Sequence, residues 1–268
     1  MDVKFGTYNF LNGGLDDGDD TRLIRQLRRL ARHQVTAWAF QECSWWDVNG
    51  SLEIAEELLG MRGYLARSTR SPGGNVAVFV RANDRIKVVG TRHEGMGHDE
   101  KAPFWHAVAV VHVDVPGFGP LRFGSGHLAP TSAELRAKEA EHIGHIAVRD
   151  GGPFTIGIDG NGYALNEPER DVEGMHPGKV RRKSDIKAAL FLAEYMTDTG
   201  EYLGDTTPTV GHTRNDKLAY RCDRVHTTLP ATTIVSHQVI TADAPDNEDG
   251  PDSDHVEAIT TFRLDTGD

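Results

Sequence analysis

The chain has 268 residues, of which 38% are hydrophobic and 26% charged, and its formal net charge is −11 at pH 7. This length and apolar content suffice for a large buried core and exclude an intrinsically disordered chain. No apolar run approaches the roughly 18 residues of a membrane span, two cysteines cannot build a disulfide framework, and the acidic total argues against a broad nucleic-acid-binding face.

The N-terminus, the cysteines and the overall organisation give further expectations. The first ten residues, MDVKFGTYNF, lack the basic region and apolar core of an export signal, so we expect a cytoplasmic protein. Cys43 and Cys222 lack the spacing of a zinc site and are expected as buried thiols that point away from any cleft. No linker, repeat or low-complexity segment interrupts residues 1–268, which indicates one domain, expected to be a monomer.

The predicted elements begin with a strand and an arginine-rich helix. Residues 3–10, VKFGTYNF, alternate in the manner of a strand, and residues 19–33 follow as a helix with Asp20 or Thr21 at its N-cap. Apolar residues recur on one face of that helix: Leu23, Ile24, Leu27, Leu30 and Ala31. Its arginines fall mostly on the opposite face and are interpreted as a solvated surface: Arg22, Arg25, Arg28, Arg29 and Arg32.

Strands outnumber helices in the rest of the chain. Strands are predicted over residues 35–42, 75–81, 85–93, 105–115, 121–128, 154–159, 222–228, 233–240 and 255–262. Helices are predicted over residues 51–60, 132–150 and 184–196, the first of them ended by Gly60. So many strands with so few helices between them indicate an α+β fold of two packed sheets flanked by helices, and not a regular βαβ repeat.

Polar residues cluster where the predicted strands begin or end. These residues are Asn9, Glu42, His127, Asp159, Asn161, Asp223, Asp254 and His255. Each has a simple explanation in turn chemistry, because Asn and Asp commonly flank strands. Together they predict a cleft that presents several carboxylates and imidazoles at one edge of the sheets. Such an oxygen-rich site favours a hard divalent cation, Mg²⁺ with Mn²⁺ as its substitute, over zinc.

Six short motifs in a fixed order carry a resemblance to a known family. They read TYN, QE, SGHLAP, IDGN, RCDRV and SDH, and they run from the first strand to residue 255, so they cover nearly the whole chain. The series resembles the endonuclease/exonuclease/phosphatase superfamily, which has the deoxyribonuclease I-like fold. The resemblance implies a four-layer α/β/β/α sandwich of two mixed sheets with helices outside, and a metal-assisted hydrolysis of phosphoesters at the strand ends.

The resemblance implies a role for each catalytic residue. Asp159 would orient or deprotonate the attacking water, and Asn161 would help to hold that water or the phosphate. His255 would hydrogen-bond the scissile phosphate, with the Asp223 carboxylate fixing its tautomer and favouring its charged form. His127 matches the second histidine of nuclease-like members, which binds phosphate or protonates a leaving oxygen.

The resemblance also implies a metal site, in which Glu42 is the main ligand and Asn9 and Asp254 lie close to the same ion. The chain departs from the family pattern at two places. Gly160 replaces the aromatic residue between the acid and the amide of the fourth motif, a change expected to affect packing and not chemistry. Leu11 stands where some DNA-repair members have an acidic neighbour of the metal, which weakens a repair-type assignment.

Two features bear on the substrate. The basic segment KVRRKSDIK, residues 179–187, is either a phosphate-backbone contact or a solvated helix entrance. Under the first interpretation the substrate-binding residues are Lys179, Arg181, Arg182 and Lys183. Three tryptophans near motif ends either stack on bases, line a pocket or cover the core: Trp45, Trp46 and Trp105.

Three functions remain open on the sequence alone. The first is a divalent-metal-dependent phosphodiesterase that acts on nucleic acid, a nuclease. The second is a phosphatase acting on a small phosphorylated inositol, lipid, sugar or nucleotide, which gains support because Cys-Asp-Arg-Val is similar to an element of inositol polyphosphate 5-phosphatases. The third is a non-catalytic phosphate-binding module, against which the complete set of acids and bases argues.

Overall fold

The computed structural model describes residues 1–68, 74–83, 85–95, 104–149, 151–212, 218–241 and 252–267. Within these ranges, twelve strands form two six-stranded mixed sheets. The first sheet contains, in spatial order, β11 (Ile234–Val239), β12 (Ala258–Arg263), β1 (Asp2–Asn9), β2 (Ala37–Gln41), β4 (Val76–Val80) and β3 (Arg62–Ala66). The second contains β5 (Lys87–Gly95), β6 (Ala107–Val115), β7 (Gly119–His127), β8 (Phe154–Asp159), β10 (Asp223–Thr227) and β9 (Thr197–Asp198).

The helices of the described ranges lie between these strands in the chain. They are α1 (Thr21–Ala31), α2 (Ser51–Leu59), α3 (Ala133–Ala147), α4 (Pro177–Lys183), α5 (Lys187–Ala193) and α6 (Thr199–Tyr202). As predicted, α2 ends at Gly60, which has the left-handed conformation (φ 59°) that glycine adopts most readily. None of the described helices combines the length and the apolar character that crossing a membrane requires.

The strand β2 shows how four layers arise from the sequence. Its side chains alternate between two buried faces. Ala37 and Ala39 join an apolar cluster between the two sheets, whereas Trp38 and Phe40 pack into a second cluster beneath α1 and α2. A third cluster packs the other sheet against α3 and α5. The helices therefore cover the outer faces of two packed sheets, and the predicted four-layer sandwich is confirmed.

Strand register brings the polar strand ends together. The parallel pair β1 and β2 aligns Asn9 with Gln41 at one end of the first sheet. In the second sheet, β7 and β8 align His127 with Asp159, and β10 aligns Asp223 with the same Asp159. A hydrogen bond from Asn9 Nδ2 to Asp159 Oδ2 at 3.0 Å joins the two sheet edges. The motifs of the sequence thus meet at one place in the fold.

The structure differs from the sequence prediction in several elements. The last strand begins at Ala258, so Asp254 and His255 lie in the preceding loop, where the Ser253 hydroxyl donates to the Asn9 carbonyl and accepts the His255 N–H. Such local side-chain hydrogen bonds compete with a strand ladder. The prediction also missed β3, α4, β9 and α6. All four are short, so they give little periodicity to detect.

Candidate active site

The strand ends surround a cavity of about 330 Å³. Most of the predicted site residues line it: Glu42, His127, Asp159, Asn161, Lys179, Lys183, Asp254 and His255. Asn9 and Asp223 are fully buried and lie behind the lining residues they contact. Arg181 and Arg182 do not line the cavity and are exposed on α4, so only the first and last residues of the predicted basic set belong to this cleft.

Glu42 is held in the cleft by an amide and a turn. The Asn9 side chain donates to Glu42 Oε1 at 3.2 Å, and the Asn12 N–H donates to Glu42 Oε2 at 2.9 Å. Asn9 Oδ1 accepts the Leu11 N–H at 2.9 Å, so in this arrangement Asn9 positions Glu42 through its amide nitrogen. Glu42 itself has a left-handed backbone (φ 53°), which is rare outside glycine and concentrates at functional sites.

Asp223 and His255 form a buried acid–imidazole pair. His255 Nδ1 lies 2.8 Å from Asp223 Oδ2, so the ring donates from this nitrogen to the carboxylate. The other ring nitrogen, Nε2, lies 4.0 Å from Asp159 Oδ2 and 3.7 Å from Asp254 Oδ1. Because the first nitrogen is engaged behind the cleft wall, Nε2 is the atom that His255 offers to a bound group.

Asn161 connects His127 with Lys183. Asn161 Oδ1 accepts from Lys183 Nζ at 2.8 Å, which fixes the amide orientation because an ammonium group can only donate. Asn161 Nδ2 then faces His127 Nε2 at 3.0 Å, and Asp159 Oδ2 lies 3.3 Å from the same ring nitrogen. The His127 ring, at the C-terminal end of β7, is therefore held between the Asn161 amide and the Asp159 carboxylate.

Cys222 does not point away from the site, contrary to the prediction. Its Sγ lies 3.3 Å from Asp223 Oδ2 and 3.9 Å from His255 Nδ1. The prediction assumed strand alternation, but β10 begins only at residue 223. Burial raises the pKa of the Cys222 thiol, so it stays protonated and donates to the carboxylate. Cys43, by contrast, is buried in the apolar cluster beneath α1 and α2, as predicted.

The oxygen atoms of the cleft fit a hard divalent cation. Glu42 and Asp254 supply carboxylates at the cavity wall, the donor type that Mg²⁺ and Mn²⁺ prefer. The buried trio of Cys222, Asp223 and His255 is a second group of potential ligands. It suits a hard cation poorly, because its sulfur is a protonated thiol and the His255–Asp223 hydrogen bond already occupies one carboxylate oxygen.

Comparison with known proteins adds a fold assignment. No protein-family model and no curated protein sequence matches the chain. Among solved structures, an endonuclease/exonuclease/phosphatase from Bacteroides vulgatus has 14% sequence identity and a TM-score of 0.68, over 98% of this chain and 99% of that chain. The chain has the endonuclease/exonuclease/phosphatase fold.

Structures with this fold include proteins of different activities. D. rerio TDP2, complexed with a single strand DNA product, has 14% identity and a TM-score of 0.68, covering 98% of this chain and 99% of that chain. A mannosyl-6-phosphatase from Bacteroides thetaiotaomicron has 15% identity and a TM-score of 0.64, covering 96% of this chain and 98% of that chain. The endonuclease/exonuclease/phosphatase fold therefore does not by itself select a substrate.

Charge in the cleft favours an ionised acid facing a protonated imidazole. Burial by itself would raise the pKa of Asp159, but His127, His255 and Lys183 outweigh it and hold that pKa well below its usual range. Burial likewise would lower the pKa of His255, but the attraction of Asp223 outweighs it and holds that pKa well above the ordinary 6.5. Asp159 is thus a carboxylate and His255 a cation at neutral pH.

The cleft residues that sequence reasoning missed include His106 and Asn12. The His106 ring stacks on the His127 ring at 4.0 Å between centroids, and burial, with a smaller contribution from His127, lowers the pKa of His106 to about 2. Nothing in the sequence marks His106, because a lone histidine near the start of a predicted strand belongs to none of the motifs. Asn12 had a usable signal, since Asn-Gly-Gly after a strand predicts a tight turn beside the first motif.

Two arginines of α1 are buried, contrary to the predicted solvated face. Arg22 and Arg29 are each 7% exposed, whereas Arg28 is exposed. The two terminal guanidinium nitrogens of Arg29 form ion pairs: Nη1 lies 3.5 Å from Asp252 Oδ2, and Nη2 lies 3.3 Å from Glu257 Oε2. Helical periodicity cannot reveal this arrangement, because the acidic partners come from the loop before β12, at the far end of the sequence.

Arg22 ties together the two loops that carry site residues. Its guanidinium donates to the carbonyl oxygens of Phe10, Leu11 and Leu15, at 3.0 to 3.1 Å. It also donates to the Asp252 carbonyl at 2.9 Å. The first loop follows Asn9 and the second precedes Asp254, so one buried side chain fixes the relative position of both.

We expect Arg22→Ala to lower the free energy of unfolding by about 1.5 to 3 kcal/mol, the range for hydrogen bonds made by a charged group, because its carboxylate partner Asp16 is exposed and no buried charge is left behind. The Leu15 carbonyl would lose its Arg22 donor, and the Phe10, Leu11 and Asp252 carbonyls would each keep only the bonds that they accept from Gly14 or Gln26. Chemical denaturation measures the loss, and Arg28→Ala, on the same helix but exposed, should change stability by about 0.5 kcal/mol or less. Equal losses in the two variants would contradict the role given to Arg22.

A buried carboxylate on α3, Glu139, holds two further loops at the cleft wall. Its Oε1 accepts the Trp105 N–H at 2.6 Å, and its Oε2 accepts the Ala129 N–H at 2.7 Å. These residues directly precede His106 and closely follow His127, the two stacked rings. Burial raises the pKa of Glu139 to about 7, although the two backbone hydrogen bonds work in the opposite direction.

Glu139 should make folding stability depend on pH. Since its pKa in the folded chain, about 7, is above the ordinary 4.5, the folded state binds this proton more tightly and stability falls as pH rises between those values. Glu139→Gln cannot ionise and should lose this part of the slope, which urea melts between about pH 5 and pH 8 measure. Glu141→Gln, exposed on the same helix, is the control; a wild-type slope in Glu139→Gln would refute the assignment.

Proposed function

We propose that this chain is a divalent-metal-dependent phosphoesterase that hydrolyses phosphodiester bonds in nucleic acid. One observation carries the proposal: Glu42, Asp159 and the Asp223–His255 pair meet in one cleft at the strand ends of two facing sheets. Phosphodiester hydrolysis builds negative charge on the phosphate oxygens. A carboxylate site for a cation beside a protonated imidazole meets that requirement.

Glu42 and Asp254 would hold the metal ion, with Asn9 positioning Glu42 from behind. When bound, the ion supplies Lewis-acid polarisation of a phosphate oxygen and holds the phosphate in place. The hydrogen bonds to both Glu42 oxygens, from Asn9 and from the Asn12 N–H, favour a fixed carboxylate over a mobile one. Preorganisation of this kind reduces the rearrangement needed during the reaction.

Asp159 would orient the attacking water. Its pKa is held well below the usual range, so it is a weak base, and an efficient general base has a pKa nearer the working pH. Its ionised oxygen is nonetheless a strong hydrogen-bond acceptor for a water molecule. Of the two roles suggested by the family resemblance, orienting the water is thus the better supported.

His255 would donate from Nε2 to a phosphate oxygen while Asp223 holds Nδ1 behind it. Lys179 and Lys183 line the same cleft and would contact the phosphate or its neighbour. Asn161, held by the Lys183 ammonium, would help to position the water or the phosphate. The family resemblance suggests that His127 binds phosphate or protonates the leaving oxygen, and either role would require its Nε2 to exchange the Asn161 amide for the substrate.

A second candidate is a phosphatase that acts on a small phosphorylated molecule. The size of the cleft favours it, because a cavity of about 330 Å³ falls in the range of small-molecule sites. The fold neighbours include both a DNA-bound protein and a sugar phosphatase, so they support the two candidates alike.

A parallel assay tests the proposal. Purified wild type and Asp159→Asn are incubated with Mg²⁺ or Mn²⁺, with and without a chelator, on plasmid, single-stranded DNA, RNA and a panel of small phosphomonoesters. We expect metal-dependent cleavage of nucleic acid by the wild type only. Phosphate release from the small esters alone would favour the phosphatase. Absence of hydrolysis on every substrate would leave a phosphate-binding module.

A further inference from the structure

A second cavity, of about 580 Å³, opens beside the active-site cleft. It lies between the turn after β1 and the loop after β2, and its lining includes Asn12, Leu15, Asp17, Trp45, Val48 and Asn49. Asn12 lines both cavities, so they lie on either side of this residue. A group attached to a phosphate in the cleft would reach the second cavity by extending past Asn12.

Trp45 and Val48 give this cavity an exposed apolar wall. Trp45 is 52% exposed and Val48 is 70% exposed. The adjacent Trp46 is 1% exposed and packs in the apolar cluster beneath α1 and α2. Its ring N–H donates to the Gly13 carbonyl at 2.9 Å. Of the two neighbouring tryptophans, Trp46 therefore belongs to the core, while Trp45 presents its indole to solvent beside the cleft.

The backbone of Trp45 makes its exposure harder to explain as packing. The residue has a left-handed conformation (φ 66°), which glycine or asparagine adopts more readily than an aromatic residue. The turn itself thus has no need of a tryptophan. Left-handed residues other than glycine concentrate at functional sites, and Glu42, three residues earlier, has the same conformation.

The chemistry of the lining identifies a class of ligand. Among the described residues that line the cavity, none is basic and Asp17 is acidic, so a second phosphate group is disfavoured. The cavity is lined by the polar side chains of Asn12, Asp17 and Asn49 as well as by Trp45, and these carry hydrogen-bond donors and acceptors. A flat, uncharged ring with polar edges complements such a site better than an acyl chain does.

We propose that this cavity binds an unpaired nucleobase next to the phosphate in the cleft, with the base stacked on Trp45. In a duplex, both faces of a base are covered by its neighbours, so a base stacked on an indole comes from a single strand. The inference rests on the proposed function and adds its substrate class, single-stranded nucleic acid.

Binding without metal tests the subsite separately from catalysis. Fluorescence anisotropy in chelator measures the affinity for labelled single-stranded DNA and RNA of wild type, Trp45→Ala and Trp45→Phe. We expect Trp45→Ala to weaken binding of one or both roughly five- to 100-fold and Trp45→Phe to retain most of the affinity, since base stacking on an aromatic ring has this size. Val89→Ala, which removes an exposed apolar side chain on β5, is the control and should bind as wild type does.

Abasic and duplex oligonucleotides sharpen the test. An abasic strand has the same phosphates, so wild type and Trp45→Ala should bind it equally. Equal affinity of the wild type for abasic and base-containing strands, or an unchanged Trp45→Ala, would overturn the subsite while leaving the proposed function standing. A Trp45→Ala defect on duplex as large as on single strands would also overturn it. Base-dependent binding without hydrolysis of any substrate would support the subsite and refute the phosphoesterase.

Discussion

Glu42→Gln is expected to reduce metal-dependent hydrolysis by roughly 10²- to 10³-fold while the chain stays folded. The amide keeps the shape of the side chain and an oxygen to accept the Asn12 N–H, but it removes the charge that a hard cation requires. Steady-state kinetics give the loss in kcat/KM, and calorimetric titration with Mn²⁺ should show a matching loss of metal affinity.

Glu57→Gln provides the matched control, because Glu57 is exposed on α2 and the substitution is the same. It should leave both kcat/KM and Mn²⁺ affinity unchanged. Thermal melts of both variants without metal check that the fold is intact. Wild-type metal affinity in Glu42→Gln would remove Glu42 from the metal site.

Asp223→Asn should lower kcat/KM roughly 10²- to 10³-fold near neutral pH. In the profile of kcat/KM against pH, the fall on the alkaline side should shift to lower pH. Burial disfavours the charged form of His255, and the Asp223 carboxylate is what raises its pKa. The protonated form is the active one, so activity is present below the pKa of His255 and is lost as the pH rises through it. Without the carboxylate, burial dominates and that loss begins at lower pH.

The pH profile of kcat/KM separates this account from a purely structural role. His255→Ala should lose the alkaline fall altogether, and Asp265→Asn, which changes an exposed carboxylate, should keep the wild-type profile. A profile for Asp223→Asn that is lower but unshifted would show that Asp223 does not control the protonation of His255.

The sequence predicts where the site residues lie better than it predicts the contacts that hold the site loops in place. Asn9, Glu42, His127 and Asp159 all follow or end apolar strands, and strand register then brings them together. That step needs only alternation and turn chemistry, which are local properties. The family resemblance adds the pairing of Asp223 with His255, which lie 32 residues apart in the chain.

The supporting contacts were not predictable, because they join segments far apart in the chain. Arg22 binds the carbonyl of residue 252, and the stacked His106 and His127 come from neighbouring strand ends. Helical periodicity assigned Arg22 to a solvated face, since a pattern reports which side of a helix is polar and not what that side contacts. Long polar side chains reach buried acceptors while keeping their position in the pattern.

Gly160 shows how a departure from the family pattern changes packing. A Cβ at this position would lie 2.0 Å from the Arg224 guanidinium, and the same guanidinium donates to the Tyr163 carbonyl at 2.9 Å. Glycine therefore leaves room for a buried arginine beside Asp159. The acid and the amide of the motif keep their contacts with the cleft, which agrees with the expected change in packing.

The most direct test of the central claim is a crystal structure with Mn²⁺ and a non-hydrolysable phosphodiester, examined by anomalous scattering at the manganese edge. We expect an anomalous peak in the cleft at coordination distance from the Glu42 carboxylate, with a phosphate oxygen within hydrogen-bond distance of His255 Nε2. A peak at the Cys222, Asp223 and His255 trio, or a phosphate bound away from His255, would contradict it.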